Sequence, residues 1–128
     1  MAHQQITSEE GLELLSKVRN YVSRYAEVKE HVDGFGHTSF RVNNKPFVMM
    51  GENEEGTTLS IKTDIPTQEL LLQQGHFKKT PYIGQHGWVT LLSNDHADWQ
   101  ELHELLMEGY CRTAPKRLVK QYIKEVTH

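Results

Sequence analysis

The apolar residues near the N-terminus recur at helical spacing and then switch to alternate positions, and this change of period constrains the fold more than any other feature. Leu14, Leu15, Val18, Tyr21, Val22 and Tyr25 fall three to four apart, the stripe of an amphipathic helix. Thr7 followed three residues later by Glu10 predicts a capping box at its start. Gly34 and Gly36 end the helical pattern. From His37 the period is two, with Thr38, Phe40 and Val42 on one side and His37, Ser39 and Arg41 on the other, as in a half-buried strand.

Two more strands follow at once. Asn43-Asn44 is a tight-turn pair leading into Pro46 to Met50, and after an acidic loop Leu59 and Ile61 alternate with Ser60 and Lys62. Asp64 to Pro66 opens a short helix that Gly75 stops. Thr80 to Ile83 and Trp88 to Leu92 read as two further strands. Asp95 is placed to cap a long helix carrying Trp99, Leu102, Leu105, Leu106 and Tyr110, and Pro115 separates it from a last helix with Leu118, Val119, Tyr122, Ile123 and Val126 inward. The order α-β-β-β-α-β-β-α-α predicts an α+β two-layer sandwich: an antiparallel five-stranded sheet with helices on one face. A chain of 128 residues holds one such core, so residues 1–128 form a single domain.

Composition narrows the function classes. No apolar run approaches a membrane span, a lone Cys111 cannot form an internal disulfide, and Met1 to Glu10 lacks a secretory pattern, which points to the cytoplasm and to no membrane partner. A net charge of -3 excludes a uniformly basic nucleic-acid coat. Charge is uneven, however. Asp95, Asp98, Glu101, Glu104 and Glu108 are followed by Arg112, Lys116, Arg117, Lys120 and Lys124, so the sign switches near Gly109. Glycine-rich phosphate loops, paired cysteines and a nucleophile elbow are all missing from the sequence, so neither catalytic residues nor cofactors are expected. His96 and His103 lie seven apart, but a metal site needs three or four convergent ligands, and no metal is expected. Cys111 reads as a packed, unreactive thiol.

Strand parity gives the sharper expectation. If Phe40, Val42, Leu59, Ile61, Val89 and Leu91 face the helices, then Ser39, Arg41, Ser60, Lys62, Trp88 and Thr90 share the other face. An indole among cations suits nucleic acid, because bases stack on it while Lys and Arg neutralise phosphate; packing of Trp88 under a loop or the terminal helix is the competing reading. Lys116, Lys120 and Lys124 form a cationic row at four-residue steps, a pattern that is more often a solvated helix face than a phosphate track.

Several segments together resemble a known family. They are Gly36 to Val42, Lys45-Pro46-Phe47, Leu59-Ser60-Ile61-Lys62-Thr63-Asp64, Pro81 to Val89, Gly109-Tyr110 and Ala114-Pro115-Lys116, and in this order and spacing they look like the MmcQ/YjbR family of small bacterial proteins. The resemblance runs from about Leu12 to Tyr122. It implies an α+β fold similar to frataxin-like and secretion-chaperone-like proteins and a DNA-binding role. It marks Lys62, Asp64, Tyr82, His86, Trp88, Tyr110 and Lys116 as recurrent polar and aromatic positions. One departure is that Gly87 separates His86 from Trp88, where many relatives have histidine directly before the tryptophan.

Two expectations follow. The first is a non-enzymatic DNA-binding protein whose Lys62, Trp88, Arg112, Lys116, Arg117 and Lys120 contact phosphates and stack on bases. The second is a protein- or small-anionic-ligand-binding module, in which Tyr82, Trp88 and Tyr110 line a pocket and Lys62 or Lys116 pairs with the anion.

Overall fold

A computed structural model describes residues 5–95 and 97–127. The chain runs α1 (Glu9–Val22), β1 (Lys29–Val32), β2 (Thr38–Val42), β3 (Lys45–Asn53), β4 (Gly56–Lys62), α2 (Ile65–Gln74), β5 (Phe77–Lys79), a single 3-10 turn (Gly84–His86), β6 (Trp88–Leu91), α3 (Trp99–Thr113) and α4 (Lys116–Val126). All strand pairs are antiparallel, in the order β1-β2-β3-β4-β6-β5. The α+β class and the one-sided helical layer agree with the sequence. The sheet has six strands rather than five.

One strand, β1, is additional, and one expected strand is displaced. β1 pairs with β2 at the sheet edge, and all of its residues are exposed, so it carries no buried side to betray it as an alternating pattern. The expected strand Thr80 to Ile83 is instead a turn leading into the 3-10 turn, and the pairing partner of β6 is β5, just before it. Pro81 supplies no N–H for a ladder and Tyr82 adopts φ 67°, a left-handed value that leaves the strand region altogether. The Asn43-Asn44 turn forms as expected, with φ of 52° and 61°, the pair of positive values that a tight hairpin turn requires.

Parity holds throughout the core. Phe40, Val42, Leu59, Ile61 and Val89 are almost wholly buried on the helix side, where they meet Val18 and Val22 of α1 and Leu102 and Leu106 of α3. A register shift between Phe40 and Arg41 admits the extra residue Phe47, which turns inward beside Tyr110. The caps shift by a few residues. Ser8, not Thr7, caps α1 by accepting the Gly11 N–H, and Asp98, not Asp95, caps α3. Asp64 and Gly75 bracket α2 as the sequence indicates, Gly75 at φ 83°.

The reciprocal group at the α1 start comes from β3 rather than from Glu10. Glu52 accepts from the Thr7 and Ser8 N–H groups at 3.2 and 3.1 Å, from the Thr57 hydroxyl at 2.9 Å and from the Ser8 hydroxyl. Burial raises the pKa of this carboxyl, but the donors together outweigh it and hold the group below the ordinary glutamate value of 4.5. A carboxylate depressed in the folded state stabilises fully at neutral pH, and that stabilisation is lost as pH falls from the unfolded value through the folded one. Glu52→Gln is therefore expected to flatten the acid limb of the stability curve, measured as urea midpoints at neutral pH and at about pH 3. An unchanged pH profile in the variant would contradict this.

Candidate functional site

The candidate residues separate into groups with different environments. Tyr110 is fully buried, stacked on Tyr25 with ring centroids 4.8 Å apart, and its hydroxyl donates to the Ala26 carbonyl at 2.9 Å. It anchors α3 to the segment after α1 and faces no solvent. Trp88 is 5% exposed. It lies opposite Lys62 in the ladder, with Lys62 Nζ above its ring at 6.0 Å from the centroid, so the lysine covers the indole that the sequence offered as a platform. Both aromatics are thus corrected from contact surface to packing, because each sits where neighbouring side chains close over it.

The helical cations are mostly engaged. Arg117 makes a two-pronged contact with Glu27, at 2.8 and 3.1 Å, and Arg112 pairs with Asp64 at 3.3 Å and Glu108 at 3.7 Å. Lys116 and Lys120 are exposed on α4 and make no ion pair among the described residues. Cys111 is half-buried, and burial pushes its thiol pKa up against the opposing effect of Arg112. That matches an unreactive thiol. His96 lies outside the described residues, and among those described no group of three His, Cys, Asp or Glu could hold a metal ion. Nor, among them, is any helix long and apolar enough to cross a membrane.

The segment from Lys62 to Trp88 is a clamp. The Thr63 N–H and hydroxyl both donate to the Gly87 carbonyl, at 3.0 and 2.6 Å, and the buried amide of Gln68 on α2 donates to the carbonyls of Gly84 and Trp88 at 2.7 and 2.9 Å. The His86 carbonyl accepts from Lys62 Nζ at 3.4 Å. These bonds satisfy the backbone of a turn that could not otherwise be buried, and they fix the preceding residues Thr80 to Ile83 over the sheet.

What the clamp presents is Tyr82. It is 97% exposed, and its φ of 67° is a rare conformation for a bulky side chain. Strain at so exposed an aromatic contributes nothing to packing. Tyr82→Gly is expected to raise stability by about 0.5–1 kcal/mol, because glycine takes this conformation freely. A thermal midpoint below that of the parent would contradict the assignment of strain.

Beneath Tyr82 lies a groove of about 450 Å³ on the helix-free side of the sheet. Its floor carries Met49 and a chain of hydroxyls, Ser60 to Thr90 at 2.8 Å and Thr90 to Thr80 at 2.9 Å. Pro81, Tyr82 and Ile83 form one wall, and Lys78 and His37 stand at its margin. Of the three aromatics expected to line a pocket, only Tyr82 does so.

The charge of the helix-free face follows from the register. Residues directly opposite in a ladder share a face. Starting from Ser60, this face holds Met49, Ser39, His31, Thr90 and Lys78 through direct pairing, and Lys62, Trp88, Arg41 and Lys29 two residues along their strands. Arg41 Nε donates to Ser39 Oγ at 2.9 Å, which confirms their shared side. The strands contain two carboxylates, and both point the other way: Glu30, opposite Phe40, is held by Arg19 of α1, and Glu52 binds the α1 start. So Lys29, Arg41, Lys62 and Lys78 share a face without a single acidic strand residue, in a chain of net charge -3. None of these four makes an ion pair among the described residues, although Lys29 lies close enough to Glu27 to help lower its pKa. Lys29, Arg41 and Lys62 sit on neighbouring rungs of β1, β2 and β4 and span about 15 Å at the usual strand spacing. Lys29 and Lys78 went unnoticed in the sequence because β1 and β5 were not read as strands there; the alternation of Lys29 with Glu30 was the available signal.

The sequence model of the YjbR family matches residues 24–112. The chain is also similar to the crystal structure of Deinococcus radiodurans protein DR2400, a DUF419 domain, with a TM-score of 0.66 and 20% identity over 88% of this chain and 87% of that one. At that identity the likeness is one of fold. No curated protein matches the chain.

Proposed function

The chain belongs to the YjbR family, and from that premise we propose that it is a cytoplasmic, non-enzymatic protein that binds single-stranded DNA across the helix-free face of its sheet, through phosphate contacts and aromatic stacking. The observation that carries this reading is the uneven placing of charge: four of the six strand cations and neither strand carboxylate lie on one face, against a negative net charge, while Lys45, opposite Val42, and Lys79, opposite Val89, lie on the other with Glu30 and Glu52. Such a separation focuses a positive potential on one surface, and phosphates are its natural counterpart. Tyr82 supplies the exposed ring on which a base stacks, the part that the sequence assigned to Trp88.

The extent of the family match supports the sheet over the terminal helix. Residues 24–112 include all six strands and Tyr82 and stop before α4, so the match of the family model rests on the sheet, although the resemblance of sequence segments reaches Lys116. Ion pairing also occupies Arg112 and Arg117. A single strand can follow the cationic row of Lys29, Arg41 and Lys62.

Counterion release sets the expected salt dependence. Four phosphate contacts to a single strand give a slope of roughly -2 to -3 in log affinity against log salt. Fluorescence anisotropy of a labelled oligonucleotide across a salt series measures it. Affinity that does not change with salt would overturn the proposal.

A further inference from the structure

We infer that the groove under Tyr82 is a receptor for one nucleobase of the bound strand, an assignment that rests on the single-stranded DNA reading. The occupant follows from the groove's chemistry. Three hydroxyls linked by two hydrogen bonds leave one hydroxyl proton to spare, and rotation of all three moves that proton from the Thr80 end to the Ser60 end. The floor can therefore donate or accept at either end. A nucleobase edge presents donors and acceptors side by side, and such a floor satisfies it in more than one orientation.

The walls suit a flat ring. Met49 is polarizable and adaptable, and Pro81 and Ile83 offer apolar surface opposite the strands. The volume of about 450 Å³ lies in the range of small-molecule sites. Charge fixes the source of the base: Lys78 pairs with Thr90 in the ladder and stands at the groove margin, on the same face as Lys62, so a phosphate attached to a seated base meets a cation. The ring of Tyr82 at the mouth stacks on the next base along the strand.

The test compares a thymidine oligonucleotide with an abasic oligomer of the same length, which keeps the phosphates and removes every base, using the full chain at low salt. The parent protein is expected to bind the abasic oligomer about tenfold more weakly or worse, with the same salt slope. Thr90→Val removes the central hydroxyl at nearly constant volume and is expected to weaken thymidine binding severalfold while leaving the abasic oligomer unaffected. Should Thr90→Val fold poorly, Met49→Trp fills the groove from its floor without touching the hydroxyls and is expected to have the same selective effect. Equal binding of both oligomers by parent and variants would overturn the base receptor and leave the phosphate reading standing. Binding of neither would overturn both. Displacement of the oligonucleotide from the groove by decanoate at sub-millimolar concentration, with no effect of Thr90→Val, would overturn it in favour of an acyl ligand.

Discussion

Replacing Gly87 with alanine is expected to remove about 3 kcal/mol of stability or more, lowering the thermal midpoint by on the order of 10 °C. Gly87 adopts φ 96°, and a Cβ built there meets the Thr63 carbonyl oxygen at 2.0 Å and its carbon at 2.9 Å. Both obstacles are backbone, so no side chain can rotate away. Relief requires β4 and the turn to separate, which breaks the two hydrogen bonds from Thr63 to the Gly87 carbonyl and unseats the Gln68 amide. Because that clamp holds Thr80 to Ile83 over the groove, oligonucleotide binding should fall together with stability. A thermal midpoint within a few degrees of the parent would show that the clamp does not hold the turn. The glycine between His86 and Trp88, a departure from the resemblance at the level of sequence, is thus the residue that the close approach of two backbones demands.

The distribution of apolar residues made most of the architecture legible. Phe40, Val42, Leu59, Ile61 and Val89 point to the helices, and Lys62 faces away from Ile61, as alternation alone requires. β1 was not legible because it buries nothing, and Thr80 to Ile83 was misread because four residues beginning Thr-Pro-Tyr mimic a strand until Tyr82 turns left-handed. The site was legible only in part. Parity placed Arg41 and Lys62 on one face, but Trp88 is buried there with Lys62 Nζ above its ring, a contact between strands that no single-strand pattern encodes. Arg117 carries no sequence mark of its distant partner Glu27, ninety positions away. Tyr110 reads in sequence both as part of the apolar face of the long helix and as a pocket-lining aromatic, and the convergence of Tyr25, Phe47 and Tyr122 around it puts it in the core.

Reversing two central cations of the sheet face, Arg41→Glu with Lys62→Glu, is expected to weaken single-stranded DNA binding by a hundredfold or so at low salt. Each reversal removes a phosphate contact and adds a repulsion on a surface that holds no other strand carboxylate. Stability has more at stake at Lys62 than at Arg41, since the lysine covers Trp88 and reaches the His86 carbonyl. Glutamine at both positions separates the two effects: it keeps much of the covering stem and is expected to give an intermediate loss of affinity with a salt slope shallower by about 1.4, two phosphate contacts at roughly 0.7 each.

The most direct test sets the sheet face against the terminal helix in one anisotropy titration at a single low salt concentration. Arg41→Glu with Lys62→Glu should weaken binding to a labelled single strand by about a hundredfold, while Lys116→Glu with Lys120→Glu, an equal change of charge on α4, should leave the affinity within a few-fold of the parent. Loss of binding in the helix variant with retention in the sheet variant would contradict the account and move the interface to α4.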